Sequence, residues 1–323
     1  MKNTVIETSA PKVGVIGLGG QSAFLSTHRF PTPGETVSCS QLFFELGGKG
    51  YNQAVACVRM GIATVFIGAV GKDDNGKACE QELRREGIIP CLIEKDVPTA
   101  YAVILTDKAG ENTVSVYPGA AKLLTPQDLR QERVMSHLRT CTCLLLQNEL
   151  SSDCLEEALR IGKELDIPVI LNPAPANGVG WDILKKCYLI TPNYGEALLL
   201  AGIPAEKNPD AEALTQIFRK KGVSRAVITM GGQGAALMEQ ENVQMIPAFS
   251  LELPVDTTGA GDTFNGYLAG GIASGLDLHK AACLATVASG ISVTRRGAVA
   301  GIPARAEVEQ HYQNALRFFE KYR

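Results

Sequence analysis

Residues 255–266 read V-D-T-T-G-A-G-D-T-F-N-G, and their types and spacing suggest chemistry. Three small residues, Gly259, Ala260 and Gly261, lie between two carboxylates, Asp256 and Asp262. An apolar, helix-compatible run follows (Phe264, Tyr267, Leu268, Ala269, Ile272) and stops at Ser274-Gly275. The spacing predicts a glycine-rich turn feeding a helix N-terminus, where free N–H groups and the helix dipole attract an anion. A carboxylate there could take a proton from a hydroxyl while the amides hold phosphate charge. An acidic N-cap on a glycine-rich turn would read the same way locally, so the rest of the chain decides.

The elements that must position this segment are those of an α/β protein. Residues 12–18 form a buried-type strand. The G-L-G-G-Q-S that ends it is no dinucleotide fingerprint, because two prolines and no helical period follow, and a Rossmann loop must open a helix. A helix at 53–60, a strand at 64–70 and a helix at 75–86 come next. From Leu123 the alternation is regular. Helices at 126–136, 154–165 and 181–186 lead to strands at 143–147, 168–171 and 188–191. Helices at 196–201 and 211–221 lead to a strand at 225–229. Two small-residue or amphipathic helices, 281–294 and 307–321, close the chain. Strands alternating with helices imply a doubly wound, mostly parallel sheet flanked by helices, whose ligands bind beyond the strands' carboxyl ends. Glu149, Asn172, Asn193 and Thr229 all fall at such ends and are expected to line one crevice.

Two of these positions have specific readings. In N-Y-G-E, Asn193 and Glu196 offer oxygen ligands at a spacing that suits a hydrated Mg²⁺; a capping box at a helix start explains them equally. Thr229, Gly231 and Gly234 belong to a glycine-rich turn after a strand, suited to a nucleotide passing close to backbone or to a plain hairpin.

Residues 36–46, 99–105 and 113–117 have short β-like alternation, with a turn at 107–112. They are expected to pair into a small sheet projecting over the site. The reading therefore divides the chain into a main α/β body (1–19, 48–97 and 119–323) and a β-sheet lid (20–47 and 98–118). Apolar residues exposed on such a sheet, Phe43 and Phe44 among them, would suit a homodimer contact.

Of the 323 residues, 45% are hydrophobic and 20% charged, and the net charge is -3. No basic cluster points to nucleic acid or to a membrane surface, and no run approaches a membrane span. Nine cysteines without a C-x-x-C read as reduced thiols, mostly in apolar runs. Residues 1–12 have no apolar stretch of the signal-peptide kind. A cytoplasmic protein is expected.

Two stretches, G-G-K-G-Y-N-Q-A-V-A and D-T-T-G-A-G-D-T-F-N-G, resemble the ribokinase-like (PfkB) carbohydrate kinase family. F-P-T-P-G-E-T, L-N-P-A-P-A, I-T-P-N-x-x-E and V-T-R-x-G-A around them are also family-like, so the likeness spans nearly the whole chain. It implies a large α/β domain with a β-sheet lid, commonly dimerised through that lid. It further implies that Asp262 is the catalytic base and Gly259, Ala260 and Gly261 the anion hole. By the same resemblance Gly48, Lys49, Asn52 and Glu149 contact the sugar, and Asn193 and Glu196 hold Mg²⁺ through water. Thr229, Gly231, Gly234 and Thr286 meet the nucleotide. Asp256, Thr258, Ser292, Arg295 and Gly297 form a potassium site, with Gly301 where a serine often completes it.

The chain departs from the family just after its first strand. Gly20 and Ser22 stand where an Asn and an Asp usually bind ribose hydroxyls. A missing carboxylate removes a charge-assisted acceptor, a loss on the order of 10⁴ in discrimination. Gln21 is placed to supply part of the contact, and Tyr51, where a smaller residue is usual, to reshape the pocket mouth. Tyr267 is also larger than usual. The expected activity is ATP-dependent phosphorylation of a hydroxymethyl group on a sugar or sugar-like substrate. A nucleoside kinase of the same fold and a non-catalytic sugar-binding relative are the alternatives.

Overall fold

A computed structural model describes residues 10–319. In chain order its strands are β1 (Lys12–Ile16), β2 (Gly20–Thr27), β3 (Cys39–Gly47), β4 (Ala63–Gly71), β5 (Ile89–Lys95), β6 (Tyr101–Thr106), β7 (Asn112–Tyr117), β8 (Cys143–Gln147), β9 (Val169–Asn172), β10 (Leu189–Ile190), β11 (Arg225–Thr229), β12 (Ala235–Glu239) and β13 (Asn242–Ile246). The helices are α1 (Lys49–Arg59), α2 (Asp74–Arg85), α3 (Pro126–Leu129), α4 (Glu132–Leu138), α5 (Ser152–Glu164), α6 (Trp181–Leu184), α7 (Tyr194–Ala201), α8 (Ala211–Lys220), α9 (Ala260–Ala273), α10 (Leu278–Ser292) and α11 (Arg305–Phe319).

Nine strands form one sheet in the order β13-β12-β11-β10-β9-β8-β1-β4-β5. All its pairs are parallel except β11–β12 and β12–β13. Its central strands are near-continuous apolar runs, as burial on both faces requires; Leu144, Leu145 and Leu146 are fully buried. One face packs residues of α1, α9, α10 and α11, among them Tyr51, Tyr267, Ala285 and Val308. The other packs α3 to α8, among them Leu129, Leu155, Leu198 and Phe218. This is the doubly wound α/β architecture that the alternation predicts.

The second sheet has the order β3-β2-β6-β7, with β2–β3 and β6–β7 antiparallel and β2–β6 parallel. Leu42, Phe43, Phe44, Val114 and Val116 on it are each 45–58% exposed.

Several elements differ from the sequence reading. β2 and β5 were not expected as strands: β2 opens on Gly20, just after Gly19, and β5 carries Pro90, Glu94 and Lys95 around a short apolar run. The β12–β13 hairpin is also new, its turn made by Gln240 at φ 52. The expected helix at 126–136 is two, because Thr125 and Asp128 close a capping box on α3 alone. α1 starts at Lys49, four residues earlier than expected, because Gly48 at φ 107 makes the sharp entry. The expectations for residues 1–9 and for the end of the last helix at 321 lie outside the described residues. Among the described residues no cysteine forms a disulfide; eight are buried, while Cys39 is exposed. Among the described residues no helix is long and apolar enough to cross a membrane.

Candidate active site

α9 begins on Gly259, which holds a left-handed φ of 75 and offers no side chain to cap the helix. A Cβ at 259 would stand 2.8 Å from the backbone of Ala298, so glycine is required there. At Gly261 a Cβ would meet nothing within 4 Å, which shows that the first turn opens onto space. The leading N–H groups of α9 have no partners within the helix, although Ala260 N–H donates to the Thr257 carbonyl at 3.2 Å; such a helix start is suited to anions.

Asp262 sits in the same first turn. Its Oδ2 accepts from Asn52 Nδ2 at 2.9 Å, and its Oδ1 accepts from Gln53 Nε2 at 2.9 Å. Both donors lie on α1, where Gly48 brings the chain against Leu18; a Cβ at 48 would be 2.7 Å from the Leu18 carbonyl oxygen. Burial pushes the Asp262 carboxyl above the usual range, while the Lys49 ammonium and the two amides pull it back. Burial pushes Glu149 up to about 7; Lys49 opposes this and Asp262 adds to it. Glu196 is also raised, first by burial, and it too feels Lys49 and Asp262. Three acids and one lysine therefore share one field. Within it, Asn52 Oδ1 and Glu149 Oε2 are buried acceptors without a partner.

Gly20 and Ser22 lie on β2 of the small sheet. A Cβ at Gly20 would be 2.4 Å from the Ala100 carbonyl oxygen, so no side chain fits at 20 in this backbone. Ser22 is buried, with its Oγ beside Gly47, next to Gly48 and Lys49. Gln21 faces away from Ser22 and lines a cavity of about 370 Å³ with Tyr51, Arg59, Glu82 and Val299. Tyr51 points its hydroxyl toward Glu82, not toward Asp262. Tyr267 is buried, donating to the Pro303 carbonyl at 2.9 Å.

Asn193 and Glu196 form the capping box of α7: Asn193 Oδ1 accepts from the Glu196 N–H, and Glu196 Oε2 from the Asn193 N–H, each at 2.8 Å. Asn193 pairs with Thr229 across neighbouring strand ends. Both, with Gly231, line a cleft of about 1060 Å³. Gly231 and Gly234 hold φ of 54 and 91, and the 229–234 segment is the turn joining antiparallel β11 and β12. Gly234 and Thr286 lie off the cleft wall, and the Thr286 hydroxyl is used within α10, on the Ala282 carbonyl.

Asp256 accepts from the N–H groups of Thr258 and Gly297, both at 2.9 Å. Burial works against its charge, but these bonds prevail and hold the carboxyl low. The carbonyl oxygens of Ser292 and Gly297 converge on Gly301, within 3.0 and 2.9 Å of where its Cβ would be. The Arg295 side chain is turned away to Glu307.

Sequence reasoning expected Asn172 in the crevice, but it is buried behind Asp262 with Gln53 and Gln147, which were not singled out. A glutamine closing an otherwise apolar, fully buried strand was the available signal for Gln147.

The family model for pfkB family carbohydrate kinases matches residues 12–305. The chain belongs to that family. Ribokinase-like in fold, this PfkB-family member is 32% identical over 303 residues to the ribokinase of Haemophilus influenzae, covering 93% of this chain and 98% of that protein. It is 34% identical over 301 residues to a bifunctional ribokinase/ribose-5-phosphate isomerase A of Fructilactobacillus sanfranciscensis, covering 92% of this chain and 55% of that longer protein. Among solved structures, the ribokinase of Thermotoga maritima superposes with a TM-score of 0.84 at 32% identity, covering 94% of this chain and 99% of that one. An Arabidopsis thaliana ribokinase complexed with ribose and ATP gives 0.83 at 27% identity, covering 94% and 99%. This PfkB-family chain is a carbohydrate kinase.

Proposed function

We propose that the enzyme transfers the γ-phosphoryl group of ATP to a hydroxymethyl group of a sugar-like acceptor, with Asp262 as base. The observation that carries this reading is the placement of Asp262. It is pinned by Asn52 and Gln53 beside the open first turn of α9, with the unpaired acceptors Asn52 Oδ1 and Glu149 Oε2 in the same site. Buried acceptors without donors are costly, and sugar hydroxyls would supply the donors. Asp262 takes the proton of the acceptor hydroxyl as its oxygen bonds to the γ-phosphorus. The bond from phosphorus to the bridging oxygen breaks, and ADP leaves. The N–H groups of Gly259, Ala260 and Gly261 hold the charge on the transferring group. Lys49, Asn52, Glu149 and Ser22 orient the acceptor, while Gly20 lets β2 pass tightly against Ala100 at the edge of the site. The cleft along Asn193, Thr229 and Gly231, with Gly234 and Thr286 behind it, receives the nucleotide.

The donor sets suit two metal ions. Asn193 and Glu196 offer hard oxygen ligands, and the half-buried Glu196 carboxylate, disfavoured first by burial and also by Asp262, would be relieved by a cation. Held there through water, Mg²⁺ would supply charge neutralisation on the phosphates. The converging carbonyls of Ser292 and Gly297, with Asp256 and Thr258 behind them, fit a monovalent cation such as K⁺. The exposed apolar face of the small sheet supports its assignment as a lid and a homodimer contact. Buried cysteines that form no disulfide support a cytoplasmic enzyme.

Glycine at 20 and serine at 22 leave β2 without a carboxylate for paired hydroxyls, which argues for an acceptor other than ribose. A panel of pentoses, deoxypentoses, hexoses and nucleosides with ATP, Mg²⁺ and K⁺, read by ADP release, tests the reading. Acceptor-dependent ADP release from a sugar supports it. Sugar binding by calorimetry with no ADP formed from any acceptor overturns it.

A further inference from the structure

Behind Asp262 runs a buried path of side-chain hydrogen bonds, of which the chemistry above uses only Gln53. Gln53, Gln147, Asn172, Thr191 and Asn265 are each at most 6% exposed. Gln53 Nε2 spends its two protons on Asp262 Oδ1 at 2.9 Å and Asn172 Oδ1 at 3.1 Å. Its Oε1 accepts from Gln147 Nε2 at 2.7 Å. Asn172 Nδ2 donates to the Thr191 carbonyl at 2.9 Å. The Thr191 hydroxyl donates to Asn265 Oδ1, and Asn265 Nδ2 donates to the Gly261 carbonyl at 2.8 Å. The path leaves the Asp262 side chain, crosses the ends of the adjacent strands β8, β9 and β10, and returns to the residue before Asp262.

We infer that this ring is a positioning device: Gln53, backed by Gln147 and Asn172, fixes the plane of the Asp262 carboxylate, and Thr191 with Asn265 fixes the first turn of α9 that carries it. The inference rests on the reading of Asp262 as the base. Each amide in the ring has its flip state set by its neighbours, because exchanging oxygen for nitrogen would oppose two donors or two acceptors. Gln53 therefore cannot rotate away from Asp262 without taking the acceptor from Gln147 Nε2 and the donor from Asn172 Oδ1, in a buried site where Gln147 Oε1 already lacks a donor. Asn52 holds the other oxygen. The base is set before any ligand arrives, which is what a proton abstraction needs, since an error of about 1 Å in a reacting group costs on the order of 10²-fold. A fold-only role would need no connection to an acidic side chain in the site.

The test uses the full chain and its ADP-release assay. Gln53→Met keeps the bulk and removes the amide; it should lower kcat about 10- to 100-fold with the KM for ATP little changed. Thr191→Val, nearly isosteric, should lower kcat several-fold, and Thr191→Ser should restore it. Both readings are taken at a temperature below the measured Tm of each variant. The deciding measurement is a double-mutant cycle with Asp262→Asn. If Gln53 acts through Asp262, Gln53→Met costs nothing further in that background. Equal losses in both backgrounds, or an unchanged kcat in folded Gln53→Met and Thr191→Val, overturn the inference. A fully active Asp262→Asn would instead remove the reading of Asp262 as the base, and the two failures are thereby distinguished.

Discussion

Asn52 Nδ2 lies 2.9 Å from Asp262 Oδ2, a hydrogen bond between residues 210 positions apart. It joins the first turn of α1 to the first turn of α9. Each of these helices begins on a glycine with positive φ, Gly48 and Gly259, so each presents an N-terminus with no side-chain cap. Two helix starts without an N-cap side chain meet over one carboxylate, and the Glu149 carboxyl accepts from the Lys49 and Gly50 amides of α1, so backbone donors and buried acids share one site. That combination favours a phosphate on one side and a hydroxyl proton leaving on the other.

Replacing Asp262 by Asn should lower kcat by about 10²–10⁴-fold. The change keeps shape and keeps an acceptor for Asn52 or Gln53, so Tm and ATP affinity should stay close to those of the parent. Kinetics with a thermal melt and nucleotide titration checks this. Turnover within twofold of the parent would exclude Asp262 as the base.

Glu149, raised to about 7 by burial first and by Asp262 as well, should leave a pH signature in stability. Well below its ordinary value of 4.5, both folded and unfolded chains hold its proton. As pH rises toward 7 the unfolded chain releases the proton while the folded chain keeps it, so stability falls across that window. Glu149→Gln removes this dependence. The Tm of the variant minus that of the parent should therefore grow between pH 5 and pH 8, by about 2–4 °C. The same variant should weaken acceptor binding, because an acceptor oxygen is replaced by a donor. A flat Tm difference across pH would contradict the burial of this carboxyl.

Much of the architecture was legible because parallel strands buried on both faces must be apolar throughout, as 143–147 are, and because helices between them repeat at 3.6 residues. The site was legible where glycine marks an unusual backbone, at 48 and 259. Two kinds of feature escaped. β2 and β5 carry glycine, proline or charge in short strands, where period-2 patterning is weak. The amide ring escaped because its members lie on α1, the ends of β8 and β9, the residue after β10 and α9, and only tertiary folding brings Gln53, Gln147 and Asn172 together. Tyr51, expected at the pocket mouth, turns to Glu82 because a helix residue next to Asn52 must face elsewhere when Asn52 faces Asp262.

The small sheet exposes Leu42, Phe43 and Phe44 in succession, so both of its faces carry apolar side chains. A dimer through this sheet would bury them. Light scattering after size exclusion should show a dimer, and Phe44→Lys should shift it toward monomer at micromolar concentration while Tm falls little. A monomeric parent protein would rule out this contact.

Gly234 holds a φ of 91, and a Cβ there would stand 2.0 Å from the Ile246 carbonyl oxygen. Gly234→Ala meets both a left-handed backbone and a rigid neighbour, so it should destabilise the fold by at least about 1–2 kcal/mol. Denaturant unfolding measures this directly. Loss of nucleotide binding should accompany it if the turn also shapes the nucleotide cleft.

Ser22 and Glu45 are register partners across β2 and β3, so their side chains leave the small sheet on the same face. Glu45 is exposed, yet partial burial raises its carboxyl above the usual range. Gly47 lies on that face too, and Ser22 Oγ lies beside it, next to the start of α1. Ser22 supplies one hydroxyl, whereas the carboxylate opposite it is the one charge-bearing acceptor on this part of the sheet. An acceptor reaching from Asp262 toward the small sheet would meet Glu45 through its distal hydroxyls. Glu45→Ala should then raise the KM for the sugar about tenfold or more, leave the KM for ATP unchanged and spare kcat at saturation. Glu45→Gln, which keeps an acceptor but loses the charge, should fall between. Equal KM values for the sugar in all three proteins would show that β3 takes no part in choosing the acceptor.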